Sequence, residues 1–353
     1  MDLKTPPFVV EALRRRLDNE ILGYTVIPES WYTSIVHWVG NRYGWEINKE
    51  DLIFSPGIVR GIAFALQCFT QPGDKVLVMP PVYHPFFLVA KHNHREVVYS
   101  PLYLRDGQYH IDFDRLRKDV QGCKMLLLSN PHNPGGRVWT REELMTLADI
   151  CFESGTLVVS DEIHADLTLP PWRHQVFAAV SDKARDNSLT FMSPSKAFNM
   201  PGLASSYCII ENESLRHRYR AYMSASELDE SHMFAYIGVV AAYSHGTEWL
   251  DQVVAYIGGN IDYTDEYLEK YIPQIRMIRP QASYLIFLDC RELGLEQEQL
   301  VELFVDGAHL ALNDGTIFGK EGTGFMRLNV ACPRSVLKQA LDQVRDACEK
   351  ISK

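Results

Sequence analysis

The sequence lacks an uninterrupted apolar run of the roughly 20 residues that a bilayer-spanning helix requires, so no membrane segment is predicted. The first seven residues, MDLKTPP, also lack the apolar core of a secretory signal peptide. Positive charge is scarce, since 35 lysines and arginines against 45 aspartates and glutamates leave a formal net charge of -10. Such a chain is poorly suited to nucleic acid or an anionic membrane as its main partner. A cytoplasmic protein with neither partner is predicted.

Cysteine motifs are absent as well. The chain has seven cysteines, an odd number, and no two of them are spaced as Cys-x-x-Cys; they stand at positions 68, 123, 151, 208, 290, 332 and 348. This pattern predicts neither a disulfide framework nor a metal site. Buried, reduced thiols in a cytosolic protein are expected instead.

What the chain does have is the composition of an ordinary folded protein, with 46% hydrophobic and 23% charged residues. Its 353 residues favour two lobes over one small core. Helical periodicity predicts helices at 8–20, 30–43 and 58–69, and short apolar runs predict strands at 75–79, 96–99, 125–129, 157–160, 189–192 and 207–210. Short apolar strands separated by helices are typical of an α/β protein with a mostly parallel sheet buried on both faces.

The last third of the sequence has a different pattern. Strands at 275–279, 284–288 and 325–329 alternate with helices at about 296–305 and 334–350, after a long helical stretch that is interrupted near residues 244–246. This predicts a smaller α+β domain formed by residues 1–20 and 246–353, beside a large domain formed by residues 21–245.

Three polar signals follow strands of the predicted parallel sheet. Asn133 lies in the turn NPHNPGG after the 125–129 strand, Asp161 ends the 157–160 strand, and Lys196 follows the 189–192 strand in SPSKAFN. Ligands of such sheets bind at the carboxyl ends of the strands, so these side chains are expected at one edge. Pyridoxal 5'-phosphate (PLP) requires a lysine for its Schiff base and a carboxylate opposite its ring nitrogen. The three signals in this order predict a PLP site.

Each of these three residues has a predicted role in the PLP site and an alternative role that needs no cofactor. Lys196 is the predicted attachment point and the group that moves a proton at the substrate Cα; the alternative is a surface lysine. Asp161 is expected to keep the ring nitrogen protonated, although a strand-end aspartate often caps a helix. Asn133 is expected to donate to the phenolic oxygen O3' of the cofactor, although its motif also makes a good turn without a ligand.

The phosphate needs backbone amides at the start of a helix. Gly57, Ile58 and Val59 open the predicted 58–69 helix and are the candidates, with the hydroxyls of Ser193 and Ser195 as additional donors. Proline and glycine also start many helices that bind nothing, which is the alternative for this segment.

Two further residues are candidates for the cofactor ring and the substrate. Tyr83, in PPVYHPF, is predicted to stack on the pyridine, with a core aromatic as the alternative. Arg327, inside the apolar 325–329 strand, is predicted to bind the substrate α-carboxylate, with a structural salt bridge as the alternative.

With these residues in place, the sequence resembles fold-type I PLP enzymes, the aspartate aminotransferase superfamily, over segments 130–137, 160–167, 193–203 and 318–334. Further segments are similar to the MalY/PatB branch of that superfamily: LGYT at 22–25, SPGIV at 55–59, NPHNP at 130–134 and NVACPR at 329–334. The resemblance implies a seven-stranded, mostly parallel sheet flanked by helices, plus the smaller domain. It also implies a homodimer with shared active sites, in which Tyr24 reaches the cofactor phosphate of the neighbouring subunit.

Three positions depart from the superfamily pattern. His164 holds the place, three residues after Asp161, where many members have a tyrosine near O3', and it is predicted to contact the cofactor. Ala204 replaces an arginine that binds the phosphate in many members. Met1-Asp2-Leu3 aligns with the end of a Trp-Val-Ala-Asp-Met-Asp-Phe-like segment, so relatives are expected to carry a longer leader.

The resemblance implies a carbon–sulfur β-lyase, a cystathionine β-lyase or a broader cysteine-S-conjugate β-lyase, acting on a small, sulfur-containing amino acid. The main alternative is a class I/II aminotransferase, which shares the reaction up to removal of the Cα proton. A non-catalytic binding protein is a further alternative, disfavoured by Lys196, Asp161 and Arg327. None of these residues distinguishes elimination from transamination or identifies the amino acid.

Overall fold

A computed structural model describes residues 1–351 of the chain. The α-helices in it, in chain order, are α1 Pro7–Leu17, α2 Glu29–Tyr43, α3 Ile58–Phe69, α4 Pro85–His92, α5 Phe113–Asp119, α6 Arg141–Glu153, α7 Asp182–Asp186, α8 Glu213–Ala225, α9 Met233–His245, α10 Thr247–Tyr271, α11 Gln297–Glu302 and α12 Arg334–Ile351. The strands are β1 Leu52–Ser55, β2 Lys75–Val78, β3 Glu96–Tyr99, β4 Tyr103–Arg105, β5 Gln108–His110, β6 Cys123–Ser129, β7 Leu157–Asp161, β8 Ser188–Met192, β9 Ser206–Ile209, β10 Arg276–Ile278, β11 Leu285–Asp289, β12 Asn313–Asp314 and β13 Phe325–Asn329.

The larger sheet has seven strands in the order β1-β9-β8-β7-β6-β2-β3. The pairs from β8 through β7, β6 and β2 to β3 are parallel, and β9 is antiparallel to both of its neighbours. This confirms the prediction of a mostly parallel seven-stranded sheet. Six of its strands match those predicted from the sequence to within two residues at each end. The seventh, β1, was not predicted from the sequence.

Both faces of this sheet are buried, as its apolar strands predict. Along β6, Met125 and Leu127 contribute to one apolar cluster, while Leu126 and Leu128 contribute to another. Successive side chains of a strand point to opposite faces, so the two clusters lie on opposite sides of the sheet. The polar strand ends are therefore fixed between two packed layers.

The second sheet is antiparallel throughout, with the order β10-β11-β13-β12. Helices α10 and α12 pack against each other beside it. The break predicted near residue 245 is confirmed, since α9 ends at His245 and α10 begins at Thr247. The structure is helical where a helix was predicted at about 296–305: α11 ends at Glu302, and a π-helical turn follows over Leu303–Gly307. The predicted domain boundaries stay a prediction.

Other features of the structure differ from the sequence predictions or add to them. The first helix ends at Leu17 instead of residue 20, and the two-stranded hairpin of β4 and β5 was not predicted. All seven cysteines are buried. Among the described residues, no helix is long and apolar enough to cross a membrane, and no cluster of His, Cys, Asp or Glu is arranged to hold a metal ion.

Candidate functional site

One cavity, of about 330 Å³, lies where strands of the large sheet end and the second sheet approaches them. Its walls include seven of the residues singled out from the sequence: Ile58, Val59, Tyr83, Asn133, Asp161, His164 and Lys196. Arg327, from β13 of the second sheet, completes this set. Strand ends of the large sheet and a strand of the small sheet thus bring residues from distant parts of the chain together.

Lys196 lies on the cavity wall in the turn that follows β8. Burial lowers the pKa of its amine, the carboxylate of Asp161 raises it, and the guanidinium of Arg327 lowers it further. Desolvation disfavours the charged form of an amine. The cavity therefore increases the fraction of Lys196 that is uncharged and nucleophilic, which is the state that covalent attachment to a carbonyl requires.

Asp161 is the last residue of β7 and is buried. Burial raises the pKa of its carboxyl group to about 7, even though the backbone N–H of Ile163, 3.1 Å from Oδ1, and the charge of Lys196 act to lower it. A carboxylate taken out of water gains most from a cation placed against it. This site therefore favours a protonated nitrogen as the partner of Asp161.

Asn133 and Arg327 are hydrogen-bonded to each other: Nη1 of Arg327 donates to Oδ1 of Asn133 at 3.0 Å. The second guanidinium nitrogen, Nη2, donates to Oδ1 of Asn313 at 2.7 Å. Neither acceptor is a carboxylate, and within the described chain Nε of Arg327 is buried without a partner. Burial lowers the pKa of Arg327 to about 10, so the side chain keeps its charge at neutral pH. The guanidinium is thus available for an anion.

The start of α3 forms another part of the wall. Gly57 precedes it with φ of 122°, a conformation that a residue with a side chain rarely adopts, and Ile58 and Val59 line the cavity. The first N–H groups of a helix have no partner inside the helix. The amides of this turn are therefore available for an anionic group, as the phosphate prediction requires.

Two aromatic residues flank the site. The backbone N–H of Tyr83 donates to the carbonyl of Asn133 at 2.9 Å, which ties the backbone of Tyr83 to that loop. His164 is buried, packs edge-on against Tyr284 at 6.3 Å between ring centroids, and has its Nδ1 buried without a partner in the described chain. Burial, with the charges of Lys196 and Arg327, lowers the pKa of His164 to about 3. Its imidazole is therefore neutral at physiological pH.

Four predicted residues do not line the cavity: Gly57, which precedes the first turn of α3, and Ser193, Ser195 and Tyr24. The hydroxyl of Ser193 donates to the carbonyl of Ser205 at 2.9 Å and accepts from the backbone N–H of Ser195 at 3.1 Å. Use of Ser193 as a phosphate donor would need that first bond to be exchanged, and the roles of both serines stay predictions. Tyr24 is fully exposed, in a segment without regular structure. A contact with a neighbouring subunit, as predicted for it, stays a prediction.

The structure also adds wall residues that the sequence did not indicate: Met1, Ser129, Ile163, Tyr284, Leu285, Asn313 and Asn329. Asn313 is the most informative, because it pairs with Arg327 across β12 and β13. A two-residue strand leaves no periodic signal in the sequence. Ser129 could have been found from the sequence as the strand-end residue before the asparagine turn. In the structure its hydroxyl accepts from the backbone N–H of Asn133 at 3.1 Å.

The arrangement fits a phosphorylated pyridine aldehyde. Such a group needs an amine for its carbonyl, a carboxylate for its ring nitrogen, donors for its phenolic oxygen and amides for its phosphate. Lys196, Asp161, Asn133 and the first turn of α3 supply these groups around one cavity. The unpartnered Nδ1 of His164 and Nε of Arg327 are polar atoms that a bound group would satisfy.

The chain belongs to the aminotransferase class I and II family, whose model matches residues 1–344. It is 40% identical, over 349 residues, to cystathionine β-lyase PatB of Bacillus subtilis, with 98% of this chain and 90% of that protein covered. It is also 31% identical to the protein MalY of Escherichia coli, with 97% and 88% covered. The family prediction from the sequence is confirmed.

A solved structure gives the same result for the fold. Cystalysin from Treponema denticola, which contains a pyridoxal 5'-phosphate cofactor, superposes with a TM-score of 0.97 at 34% identity, covering 99% of this chain and 90% of the other. Fold-type I architecture is thereby confirmed for this chain.

Proposed function

We propose that this protein is a PLP-dependent carbon–sulfur β-lyase, which releases a thiol, pyruvate and ammonia from a cysteine S-conjugate such as cystathionine. The observation that carries the proposal is the convergence of Lys196, Asp161 and Arg327 on one cavity. Similarity to PatB, a cystathionine β-lyase, along almost the whole chain favours elimination over transamination.

The cofactor would be held by groups from several elements. Lys196 would bind its aldehyde carbon, Asp161 its ring nitrogen, and the amide nitrogen of Asn133 its phenolic oxygen, with His164 nearby. Tyr83 would cover the ring, while Gly57, Ile58 and Val59 would hold the phosphate. Bound in this way, PLP supplies an electron sink for the pair of electrons left when the Cα proton is removed.

The chain's own residues carry out the remaining work. Arg327 binds the α-carboxylate through its planar fork and thereby fixes the orientation of the bonds at Cα. Lys196, once its amine is free, accepts the proton from Cα, and its lowered pKa prepares it for that role. Asp161 holds the proton on the ring nitrogen through its buried negative charge. The thiolate then leaves Cβ, and the released enamine is hydrolysed to pyruvate and ammonia.

The proposal includes a homodimer in which Tyr24 serves the site of the second subunit. Ile21, Leu22, Tyr24 and Val26 form an apolar segment whose side chains are 62–111% exposed in the single chain. A second copy covering them would remove a substantial apolar area from water. A cytoplasmic location agrees with seven buried thiols, because reducing compartments preserve them.

The test uses purified protein saturated with PLP. L-cystathionine is added, and pyruvate and free thiol are measured with and without a keto-acid acceptor. Formation of pyruvate and thiol in equal amounts without an acceptor is the expected result. Turnover that requires the acceptor would instead make the protein an aminotransferase, and absence of a visible band from bound PLP would remove the cofactor from the proposal.

A further inference from the structure

A second buried polar cluster lies beside the candidate site but does not line its cavity. It is centred on Glu162, the residue after Asp161, whose side chain has no solvent exposure. Nε2 of His174, equally buried with 1% side-chain exposure, lies 2.6 Å from Oε2 of Glu162. Neither residue has a part in the mechanism derived above, so their presence needs a separate explanation.

Glu162 accepts hydrogen bonds from four donors. Oε1 accepts from Nδ2 of Asn130 at 3.2 Å, from the hydroxyl of Ser160 at 2.8 Å and from the backbone N–H of Phe177 at 2.9 Å. Oε2 accepts from His174. A carboxylate has about four lone-pair positions, so it can accept from four donors, three of which share Oε1 here. Nε2 of His174 is the ring nitrogen that faces Glu162, whereas Nδ1 is buried without a partner in the described chain.

These donors belong to three separate stretches of chain, and two of them carry site residues. Asn130 begins the turn that contains Asn133, and its backbone N–H donates to the carbonyl of Asp161 at 3.0 Å. Glu162 follows Asp161 directly, and its own N–H donates to the carbonyl of Phe191 on β8 at 2.8 Å. The carboxylate of Glu162 therefore ties the end of β6 to the end of β7.

Stability alone does not explain a carboxylate in this position. Removing an ion from water is costly, and apolar side chains of similar volume often stabilise a core as well as a buried polar pair does. What an apolar residue cannot provide is a fixed separation between two turns. Four directional bonds to one rigid group provide it, and Asn133 and Asp161 would bind different atoms of one planar cofactor.

We propose that Glu162, supported by His174, is a positioning residue that sets the turn of Asn133 and the end of β7 at the separation that the cofactor requires. The proposal rests on the proposed function, because it concerns how PLP is seated. It predicts that breaking the cluster impairs the seating of PLP before it impairs folding, and that a side chain able to remake the bonds restores it.

The experiment compares Glu162→Ala with Glu162→Gln. The alanine variant should bind PLP about tenfold more weakly or worse, measured by tryptophan fluorescence on adding PLP to cofactor-free protein. Its visible circular dichroism per bound cofactor should also change, since that signal reports how an achiral group is held. In Glu162→Gln the amide oxygen keeps the donors of Oε1, and the amide N–H₂ can face His174 after the ring proton moves to Nδ1. In Glu162→Gln the PLP affinity and the visible circular dichroism per bound cofactor should therefore return to within about threefold of the wild-type values.

Asp51→Ala is the matched control, because Asp51 is also a buried carboxylate. It accepts from Nη1 of Arg216 at 2.8 Å and from the backbone N–H of Asn48 at 2.9 Å, on residues that do not line the cavity. The Asp51→Ala variant should have a lower melting temperature than wild type, with unchanged PLP affinity and circular dichroism. If Glu162→Ala behaves like this control, or if glutamine fails to rescue, the positioning role is overturned.

Should Glu162→Ala fail to fold, His174→Phe keeps the ring that packs against Tyr43 at 5.4 Å between centroids and removes only the donor. A weaker PLP affinity with altered circular dichroism is then expected, and wild-type values for both would overturn the proposal. If wild-type protein itself binds no PLP, the proposed function fails, and that outcome is distinct from variants that bind PLP like wild type.

Discussion

Arg327 and Asn133 are joined by a hydrogen bond of 3.0 Å in which the guanidinium donates to the side-chain oxygen of the amide. The bond orients the amide, since its oxygen is occupied and its nitrogen is left to donate elsewhere. The backbone carbonyl of Asn133 accepts from Tyr83 at 2.9 Å. The residues proposed for the substrate carboxylate, for O3' and for the ring therefore form one bonded unit.

The first prediction concerns Arg327→Lys, which keeps the positive charge and removes the planar fork. We expect KM for cystathionine to rise about 30-fold, the equivalent of about 2 kcal/mol for one charge-assisted hydrogen bond. Steady-state kinetics at saturating PLP will measure it. The control is a substrate analogue without the α-carboxylate, for which wild type and variant should differ little. Equal losses with both substrates would contradict carboxylate binding by Arg327.

The second prediction concerns Lys196→Ala. Because the variant has no amine to bind the cofactor or to accept the Cα proton, we expect kcat/KM to fall by at least about 10³-fold. Borohydride treatment followed by mass spectrometry should attach PLP covalently to wild type and not to the variant. Lys183→Ala, at an exposed lysine paired with Asp149, is the control and should behave as wild type. Covalent labelling that survives Lys196→Ala would assign the attachment to another residue.

The third prediction concerns the stability of the cofactor-free protein. Burial raises the pKa of Asp161 from 3.8 to about 7, so the folded chain binds this proton more tightly than the unfolded chain. The resulting stabilisation is complete below pH 3.8 and is lost as the pH rises through about 7. At pH 8 the buried charge is a net cost of up to about 4 kcal/mol. Asp161→Asn keeps the oxygen that accepts from Ile163 and should be more stable than wild type at pH 8.

Urea unfolding of both cofactor-free proteins at pH 5 and pH 8 will measure the difference. The advantage of Asp161→Asn should be about two to three times larger at pH 8 than at pH 5, because the cost of the buried carboxyl grows from about pH 3.8, where the unfolded chain ionises, to about pH 7. Charges that do not interact with Asp161 affect both proteins alike and cancel in the comparison. An advantage that does not depend on pH would contradict the raised pKa of Asp161.

The sequence was informative about the centre of the fold because burial there leaves a clear pattern. Strands such as β6 and β8 are apolar on both faces, and the polar residues that end them stand out. Edge strands and short strands leave weaker patterns in the sequence. The hairpin of β4 and β5 depends on the turn at Asp106-Gly107 between half-polar strands, and β12 has only two residues.

The same limit applies to the site. Lys196, Asp161 and Asn133 could be predicted because each follows an apolar strand in a distinctive local sequence. Asn313 could not, because its importance comes from pairing with Arg327 across two strands. His174 is likewise an ordinary loop histidine until the fold places it 2.6 Å from Glu162. Contacts between distant parts of the chain are properties of the packed structure.

The fourth prediction tests the shared active site through Tyr24, which is fully exposed in the single chain. If its hydroxyl completes the phosphate site of the other subunit, Tyr24→Phe should weaken PLP binding, and Tyr24→Phe and Lys196→Ala should complement each other. A mixed dimer of the two has one site with both residues intact and one site with neither. Random mixing of equal amounts makes half of the dimers mixed, so activity at limiting PLP should recover to about a quarter of wild type. Mixing each variant with itself is the control. If the mixture only averages the two separate activities, Tyr24 serves its own subunit or neither.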